Sequence, residues 1–334
     1  MLTMKEEILV SIIVCCRNEE NYIEKCINSL ITQKDVHGAF EILVVDGMSE
    51  DRTMSILKRL ASNHSSIRIF NNIKKVKPPA VNIGFNEAKG KYIAICDAHT
   101  EYDVYYISKC INVFKDDPLI WCTGGPIVSV GESNFGKANA IAMASPIGVG
   151  NAKHRFPNYE GFAEMACFPV FNRIVLKKVG YYDDFFDINH DDEYCHRLRQ
   201  NGGKVYLTPL AKSYYYVRNS VISLFKQYYS YGLWQVAFLK KHKTPISLRQ
   251  IVPITFFSIV IVLFIVGIII NNILLAIGLP LFYISILFSF SLPIIFKEGF
   301  KISMNFPLAV LVLHFSYATG FFFGFFKFFS KKFV

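Results

Sequence analysis

A stretch of 47 residues without a charged side chain, residues 250–296, restricts what this chain of 334 residues can form. It is rich in Ile, Leu, Phe and Val, and a soluble helix is not both this long and this apolar. A membrane-crossing helix needs about 20 apolar residues, so the stretch is long enough for two. Candidate spans lie near 251–270 and 273–294, and a third apolar segment follows at 306–326. We therefore expect a transmembrane region at residues 250–334, in which the third segment either crosses the membrane or re-enters it.

The N-terminal part of the chain alternates short apolar runs with segments of helical periodicity. The runs at residues 8–16, 41–45, 67–70 and 91–96 are typical of buried strands, and residues 21–33 between the first two have apolar residues at helical spacing. Capping residues at 49–51 and two prolines at 78–79 indicate helices between the later strands. Strands that alternate with helices form a parallel sheet through right-handed crossovers. The sequence therefore predicts an α/β fold, a mostly parallel sheet with flanking helices, ahead of the transmembrane region.

Charged side chains follow the carboxyl ends of three of these strands. Arg17 and Glu19 follow the first strand, Asp46 the second, and Asp97 and His99 the fourth. In open α/β sheets the ligand lies beyond the carboxyl ends of the strands. An acid and an imidazole one residue apart can bind one divalent cation, although the acid could instead only cap the next helix. No glycine-rich phosphate loop follows the first strand, so a metal and basic side chains are the expected partners of phosphate groups.

Four segments, in this order, resemble the inverting family 2 glycosyltransferases: VSIIVCCRNEENYIEKCINSL, EILVVDGMSEDRT, ICDAHTEYD and HDDEYCHRLRQNGGKVYL. With the GGP and IGVGNAKHRF segments, they are similar to transferases that build bacterial exopolysaccharides, the succinoglycan type among them. The resemblance covers residues 8 to about 235. It implies a catalytic domain at residues 1–215 with the GT-A fold of nucleotide-diphospho-sugar transferases, and a donor that is expected to be a UDP-sugar.

The resemblance also implies roles for individual residues. Asp46 matches the acid that contacts the uracil side of the donor, and Asp97 matches the first acid of an Asp-x-Asp motif near ribose and metal. His99 stands where the second acid would be. Imidazole suits Mn²⁺ better than Mg²⁺, and the sequence leaves the choice between these two metals open. The residues expected to bind the nucleotide-sugar are Arg17, Glu19, Asp46, Lys77 and Asp97, and those expected to bind the metal are Asp97 and His99.

The HDDEYCHRLRQNGG segment resembles the family's helix that carries the catalytic base, which implies that Asp191 is the base and that His190 replaces the usual Glu. A carboxylate can remove the proton of an acceptor hydroxyl, while a metal acts as a Lewis acid on the leaving diphosphate. No second carboxylate suits a nucleophile, which favours one-step displacement with inversion. Further candidates for contact with the acceptor or the diphosphate are His154, Arg155, Gln227 and Trp234, although His154 and Arg155 could equally be a solvated pair.

Residues 194–297 contain eleven lysines and arginines and no acid. Positive charge beside hydrophobic spans indicates the anionic cytoplasmic leaflet rather than nucleic acid. Residues 216–249 are predicted to form an amphipathic helix at the membrane interface and a basic collar, and the alternative is a helix packed on the preceding domain. We therefore expect a multi-pass protein of the cell membrane whose catalytic domain faces the cytoplasm.

These patterns favour a metal-dependent, inverting hexosyltransferase that adds a sugar to a polyprenyl-diphosphate-linked saccharide in exopolysaccharide or other cell-surface glycan synthesis. Its expected partners are the donor, the acceptor, membrane lipids and other glycan-assembly proteins, and not nucleic acid. One alternative is a polyprenyl-phosphate sugar transferase, which charges the lipid carrier itself, and another is a non-catalytic membrane scaffold. A processive synthase is disfavoured because Ser230 and Tyr231 stand where the resemblance implies an Arg-Trp pair in those enzymes. A transporter is disfavoured because the first two spans contain no charged residue.

Overall fold

The computed structural model describes residues 7–244 and 247–329. Residues 1–6, 245–246 and 330–334, which fall within the three predicted domains, lie outside the described part. The chain divides into two compact units. The first combines the residues up to Val128 with Lys153–Tyr215, and the second combines Ser129–Ala152 with the residues from Tyr216 onward. The assignment of cytoplasmic, interfacial and transmembrane domains remains a prediction.

The strands of the described residues are short and mostly buried. In chain order they are β1 Ile8–Cys16, β2 Ala39–Asp46, β3 Ile67–Asn71, β4 Tyr92–Asp97, β5 Thr100–Tyr102, β6 Ile120–Gly124, β7 Ile127–Val130, β8 Gly161–Phe162, β9 Val170–Asn172, β10 Lys204–Leu207 and β11 Ser213–Tyr216. Their bounds confirm the four strands predicted from the apolar runs, with shifts of one or two residues at the ends.

The main sheet has the strand order β3-β2-β1-β4-β9-β6-β10-β8, and a small sheet has the order β5-β11-β7. Strands β1 to β4 pair in parallel, whereas β9 pairs antiparallel with both β4 and β6. β1 lies between β2 and β4, and its Val10, Ile13 and Val14 side chains are fully buried. A strand covered on both faces carries a continuous apolar run, which is why β1 was readable from the sequence.

A glycine-rich bend separates β6 from β7. Gly124 ends β6, Gly125 and Pro126 form the bend, and the two strands on either side of it belong to different sheets. A Cβ atom at Gly125 would lie 1.5 Å from the backbone oxygen of Ala211, so only glycine permits this approach of the two backbones.

The helices of the described residues are α1 Ile23–Ile31, α2 Thr53–Asn63, α3 Lys77–Glu87, α4 Tyr106–Val113, α5 Asn134–Met143, α6 Pro146–Val149, α7 Ile174–Lys178, α8 His190–Gln200, α9 Val221–His242, α10 Leu248–Ile269, α11 Ile273–Glu298 and α12 Phe300–Phe329. Apolar residues at helical spacing are buried along α1, as its periodicity predicts. Proline in the first turn pre-sets the backbone of α3, and it needs no amide hydrogen there.

Three helices, α10, α11 and α12, are long and apolar enough to cross a membrane. They coincide with the three predicted segments, and α12 is one continuous helix of 30 residues. Apolar side chains project outward from the first two, among them Ile269 at 72% exposure, Leu274 at 75% and Phe296 at 91%. Water would make this exposure unfavourable, whereas hydrocarbon would not, because lipid chains are as apolar as these side chains.

α9 packs lengthwise on α12 within the second unit. A Cβ atom at Gly232 would lie 2.1 Å from the backbone oxygen of Tyr317, and one at Gly320 would lie 2.0 Å from that of Tyr229. The Phe225 ring, in the segment predicted to form an amphipathic helix with an apolar stripe, lies 6.3 Å from that of Phe315. Part of that stripe is therefore covered by α12, and a position of α9 at the membrane surface remains a prediction.

Candidate active site

Two of the predicted acids lie at the carboxyl edge of the main sheet, on either side of β1. Asp46 ends β2 opposite Cys16, and Asp97 ends β4 opposite Cys15. Neighbouring strands are about 4.8 Å apart, so the two acids are separated by about 10 Å across β1. The structure therefore places both of them at the edge where an α/β sheet binds its ligands.

Asp46 is held by the turn that follows it. Its side chain is almost fully buried, and its Oδ2 accepts a hydrogen bond of 3.0 Å from the Ser49 amide. Its Oδ1 accepts one of 2.5 Å from the Ser49 hydroxyl. The neighbouring Arg17, predicted to bind the donor, is exposed at the end of β1. These contacts fix the Asp46 carboxylate, while Arg17 remains open to solvent at the same edge.

Lys77, Asp97 and Asp191 come together from three separate elements. The Lys77 Nζ atom, at the start of α3, lies 2.6 Å from Oδ1 of Asp97. The same atom lies 3.6 Å from Oδ2 of Asp191, in the first turn of α8. A predicted donor-binding cation, a predicted metal ligand and the predicted base thus form one cluster.

The two acids determine the charge state of Lys77. Burial lowers the pKa of Lys77, but the carboxylates of Asp191 and Asp97 raise it by more. The pKa therefore lies well above its ordinary value. Burial raises the pKa of Asp97, but the neighbouring Lys77 and, to a lesser degree, His99 lower it by more, so this pKa lies below its ordinary value. The ammonium and the Asp97 carboxylate are therefore both charged at neutral pH.

Asp191 has two further neighbours. The Tyr182 hydroxyl donates to its Oδ1 at 3.3 Å, and Nε2 of His190 lies 3.5 Å from its Oδ2. Burial lowers the pKa of His190 more than the Asp191 carboxylate raises it, so this imidazole is neutral at neutral pH. The positive end of the α8 dipole also favours a carboxylate in its first turn. Asp191 thus has a hydroxyl donor, an ammonium and a helix N-terminus around it, and no glutamate at the position of His190.

His99 follows Asp97 by two residues beyond the end of β4, so the two predicted metal ligands lie at the same edge of the sheet, and their binding of a cation remains a prediction. The Nδ1 atom of His99 lies 3.4 Å from Oε1 of Glu19, and a metal-binding histidine commonly turns one nitrogen toward a carboxylate so that the other faces the metal. Within the described residues, no three His, Cys, Asp or Glu side chains are arranged to hold a metal together. A cation here would therefore take its remaining ligands from the substrate diphosphate and water.

Arg155 belongs to the same neighbourhood. It is buried, with 9% of its surface exposed, so the alternative of a solvated pair is wrong for this residue. Its guanidinium lies 6.0 Å from the centre of the Tyr215 ring, and that ring lies 5.4 Å from the ring of His99. The structure therefore connects Arg155 to the predicted metal ligand through Tyr215. His154, next to it in a short 3₁₀ turn, is half-buried.

Gln227 and Trp234, the other two candidates, lie on α9 in the second unit. The Gln227 side-chain amide donates to the Tyr231 hydroxyl at 3.1 Å. The Trp234 ring lies 5.4 Å from that of Phe328, and the Lys327 ammonium lies 5.6 Å from the Trp234 ring. These contacts are with α9 itself and α12. A role of either residue toward the acceptor or the diphosphate remains a prediction.

Sequence reasoning missed two tyrosines of this site. Tyr182 donates to the predicted base, and Tyr215 separates Arg155 from His99. Tyrosine is common in cores, and each lies in a run of aromatic residues that gives no sign of which ring faces the site. Only the pairing of β11 with β5 brings Tyr215 opposite Thr100, beside His99.

The mixed sheet with its flanking helices is the GT-A fold of glycosyltransferases, and comparisons with known proteins show the family. The pattern of the family described as Glycosyl transferase family 2 matches residues 11–180. The chain belongs to this family, so the predicted family, fold class and enzyme class are confirmed.

Two relatives and one solved structure extend the comparison. The chain is 32% identical over 248 residues to the succinoglycan biosynthesis protein ExoA of Rhizobium meliloti, covering 73% of this chain and 74% of that protein. It is 26% identical over 329 residues to a dolichyl N-acetyl-alpha-D-glucosaminyl phosphate 3-beta-D-2,3-diacetamido-2,3-dideoxy-beta-D-glucuronosyltransferase of Methanococcus voltae, covering 95% and 97%. A mannosyltransferase of Pyrobaculum calidifontis, solved with GDP-mannose and Mn²⁺, has a TM-score of 0.59 at 14% identity, covering 94% and 88%, which shows the fold alone.

Proposed function

We propose that this protein is a membrane-bound, inverting glycosyltransferase that moves a sugar from a nucleotide-sugar, a UDP-sugar in our proposal, to a polyprenyl-diphosphate-linked saccharide. Its product is an intermediate of an exopolysaccharide or another cell-surface glycan. The observation that carries the proposal is the position of Lys77 between Asp97 and Asp191, 2.6 Å and 3.6 Å from their carboxylate oxygens. This arrangement provides a cation for the leaving diphosphate next to a carboxylate for the attacking hydroxyl.

In this proposal Asp191 accepts the proton of the acceptor hydroxyl as that oxygen attacks the anomeric carbon. The new carbon–oxygen bond forms while the bond to the diphosphate breaks, and UDP leaves with the electron pair. Tyr182 holds the carboxylate through its hydroxyl, 3.3 Å from Oδ1. A general base positioned in this way contributes about 10²–10⁴-fold to the rate. One displacement without a covalent intermediate inverts the anomeric centre.

Negative charge that develops on the leaving diphosphate requires positive charge nearby. Lys77 supplies one charge within the cluster, and Arg155 supplies another close to His99. A divalent cation bound by Asp97 and His99 would neutralise further charge as a Lewis acid, and Mn²⁺ suits an imidazole ligand better than Mg²⁺. Asp46, fixed beneath the same sheet edge, and the exposed Arg17 are left for the nucleotide.

The lipid-linked acceptor is supported by the C-terminal helices and by the names of the relatives. Three apolar helices of sufficient length bring the enzyme to a membrane, where polyprenyl-linked substrates are dissolved. The relative that aligns with 95% of this chain is named for a dolichyl-phosphate-linked sugar acceptor, and the other for succinoglycan biosynthesis. Basic residues beside the first span, including Lys240 and Arg249, favour a cytoplasmic catalytic domain in a multi-pass cell-membrane protein.

The test is UDP release by the detergent-purified full chain, with a panel of nucleotide-sugars and either lipid-linked saccharides or bare polyprenyl phosphate. Each reaction is run with Mn²⁺, Mg²⁺ or a chelator. We expect metal-dependent release with one donor, only when a lipid-linked saccharide is present. Release with bare polyprenyl phosphate instead would identify a transferase that charges the lipid carrier.

The matched variants are Asp191→Asn and Asp187→Asn. Asp187 is exposed just before α8 and contacts His190 only through its backbone oxygen. Asp191→Asn is expected to lower kcat about 10²–10⁴-fold, and Asp187→Asn is expected to leave it unchanged. A wild-type kcat in Asp191→Asn would contradict the proposed mechanism. UDP binding by calorimetry without turnover on any acceptor would favour a non-catalytic scaffold.

A further inference from the structure

An open apolar cavity of 440 Å³ lies within the second unit. One wall comes from α5 and α6, and the other from α11 and α12. The lining residues that matter here are Ile141, Pro146, Ile147, Phe290, Ile294 and Phe306. Ligand sites in proteins have volumes of about 300–1,000 Å³, so the cavity is large enough for part of an extended hydrocarbon chain. Phe290, half-exposed at its rim, leaves it open on one side.

The α6 wall of this cavity is fixed by a polar contact among apolar helices. His314 of α12 accepts a hydrogen bond of 2.8 Å at Nδ1 from the Tyr283 hydroxyl of α11. Its Nε2, which then carries the proton, donates to the Gly148 carbonyl of α6 at 3.3 Å. A Cβ atom at Gly148 would lie 2.0 Å from the backbone oxygen of Ala142, so α6 is also packed closely against the end of α5. A histidine inside an apolar helix is costly unless its nitrogens are hydrogen-bonded, and both nitrogens of His314 are.

Positive charge lies at one end of the other wall. Lys297 follows Ile294 by one helical turn at the end of α11, and Lys301 precedes Phe306 at the start of α12. Both side chains are exposed, and Glu298 between them leaves the hairpin with a net positive charge. An apolar cavity between helices that carry exposed lysines one to two turns from its lining residues is complementary to a long hydrocarbon chain with a phosphorylated head group.

We propose that this cavity binds the isoprenoid chain of the lipid-linked acceptor, with Lys297 and Lys301 near its diphosphate. The inference rests on the proposed function, which supplies the acceptor class, and it assigns the lipid to the second unit. The opening beside Phe290 lets a chain that is longer than the cavity continue into the bilayer. A fixed wall distinguishes this cavity from a gap that bilayer lipid would fill without preference, because preorganisation reduces the cost of binding one chain.

The direct test is photolabelling of the full chain in phospholipid nanodiscs with a polyprenyl phosphate that carries a photoreactive group on its isoprenoid chain. Mass spectrometry is expected to find the label on peptides that contain residues 141–147 and 290–306. Unlabelled polyprenyl diphosphate is expected to reduce the labelling at least about tenfold, and an equal amount of phosphatidylglycerol is not. Labelling elsewhere, or equal competition by the phospholipid, would overturn the proposal.

Matched variants test the same cavity by kinetics. Ile147→Trp fills it, whereas Leu292→Trp adds the same ring to an exposed position of α11 that does not line it. Ile147→Trp is expected to raise KM for a long-chain acceptor about tenfold, comparable to losing burial of two methylene groups. KM for a soluble acceptor with a short alkyl chain is expected to stay unchanged in both variants.

The two proposals fail separately. If the wild type transfers sugar to no lipid-linked acceptor, the proposed function fails, while photolabelling still reports whether the cavity takes an isoprenoid chain. If transfer occurs but Ile147→Trp leaves both KM values unchanged and the label lies elsewhere, only the assignment of this cavity is wrong.

Discussion

The Lys77 ammonium and the Asp97 carboxylate form an ion pair of 2.6 Å that joins the first residue of α3 to the last residue of β4. About a fifth of each side chain is exposed, so water screens the pair only partly. A divalent cation that binds Asp97 therefore meets an ammonium already in place, and the carboxylate must serve both. If the predicted metal binds Asp97, the pair would link the occupancy of that site to the position of a side chain that also reaches Asp191.

The first prediction concerns this ion pair. Lys77→Met is expected to lower kcat/KM about 10²–10³-fold, the size of effect found when one preorganised group is removed from a charge-stabilising site. The control is Lys74→Met in the turn that precedes α3, since Lys74 is exposed and pairs with Asp184. Steady-state kinetics of UDP release measure both variants. Wild-type kcat/KM in Lys77→Met would contradict a role of this ammonium in transfer.

The second prediction concerns Tyr182, which stacks on Tyr194 at 4.3 Å and donates to Asp191. Tyr182→Phe keeps the stacked ring and removes only the hydroxyl, so kcat is expected to fall about fivefold, the worth of one net hydrogen bond. Tyr194→Phe removes a hydrogen bond to the Gly180 carbonyl instead. That variant is expected to lower the free energy of unfolding by the worth of one net hydrogen bond and to leave kcat unchanged. Equal kcat values in the two variants would reduce Tyr182 to a structural role.

The sequence was sufficient for the features that depend on nearby residues. Continuous apolar runs predict buried strands, and an uncharged stretch predicts long apolar helices, because each pattern is local and is compatible with few alternative structures. Strand ends also predicted that Asp46 and Asp97 share one edge of the sheet. The family resemblance added Asp191, which no local pattern distinguishes from the acids around it.

The sequence was not sufficient for contacts between distant segments. Lys77 and Asp191 are 114 positions apart, and only the packing of α3 and α8 on the sheet brings them within 3.6 Å. The contact of Arg155 with Tyr215 joins segments 60 positions apart, and Tyr215 is placed beside His99 by the pairing of β11 with β5. The grouping of residues 129–152 with the C-terminal helices could not be predicted either, because it rests on contacts between distant segments, such as the hydrogen bond of 3.3 Å from Nε2 of His314 to the Gly148 carbonyl.

The third prediction concerns the metal. Glu19→Gln removes the negative charge that faces Nδ1 of His99, and loss of such an outer partner typically weakens metal affinity 10–100-fold. Glu20→Gln is the control, because Glu20 pairs with the exposed Arg52. Mn²⁺ titrations followed by electron paramagnetic resonance, with UDP present, measure affinity independently of turnover. Unchanged Mn²⁺ affinity in Glu19→Gln would contradict the prediction that His99 is a metal ligand.

The fourth prediction concerns pH. Burial lowers the pKa of His190 in the folded state, against the opposing effect of Asp191, while Lys77 also lowers it and Asp97 raises it. The unfolded state therefore takes up this proton first, and stability falls as pH decreases through about 6.5. His190→Gln is expected to remove up to about 1.4 kcal/mol per pH unit of that loss.

Thermal unfolding between pH 7 and pH 5 measures this pH dependence of stability, with His37→Gln, an exposed position, as the control. A parallel pH dependence in His190→Gln and wild type would refute the assignment.

The fifth prediction concerns the contact between α9 and α12. A Cβ atom at Gly320 would lie 2.0 Å from the backbone oxygen of Tyr229, and backbone atoms cannot move aside as a flexible side chain can. Gly320→Ala is therefore expected to force the two helices apart and to lower the free energy of unfolding by about 1–3 kcal/mol, the usual range for overpacking.

Gly278→Ala, on α11, is the matched control, because the nearest neighbour of its added Cβ atom is a Leu274 methyl at 3.9 Å. Thermal unfolding of the two variants in the same detergent compares them. Since alanine favours a helix over glycine by about 1 kcal/mol, the control is expected to be as stable as wild type or more so. Equal stability of Gly320→Ala and Gly278→Ala would mean that α9 is not held against α12 by this close approach.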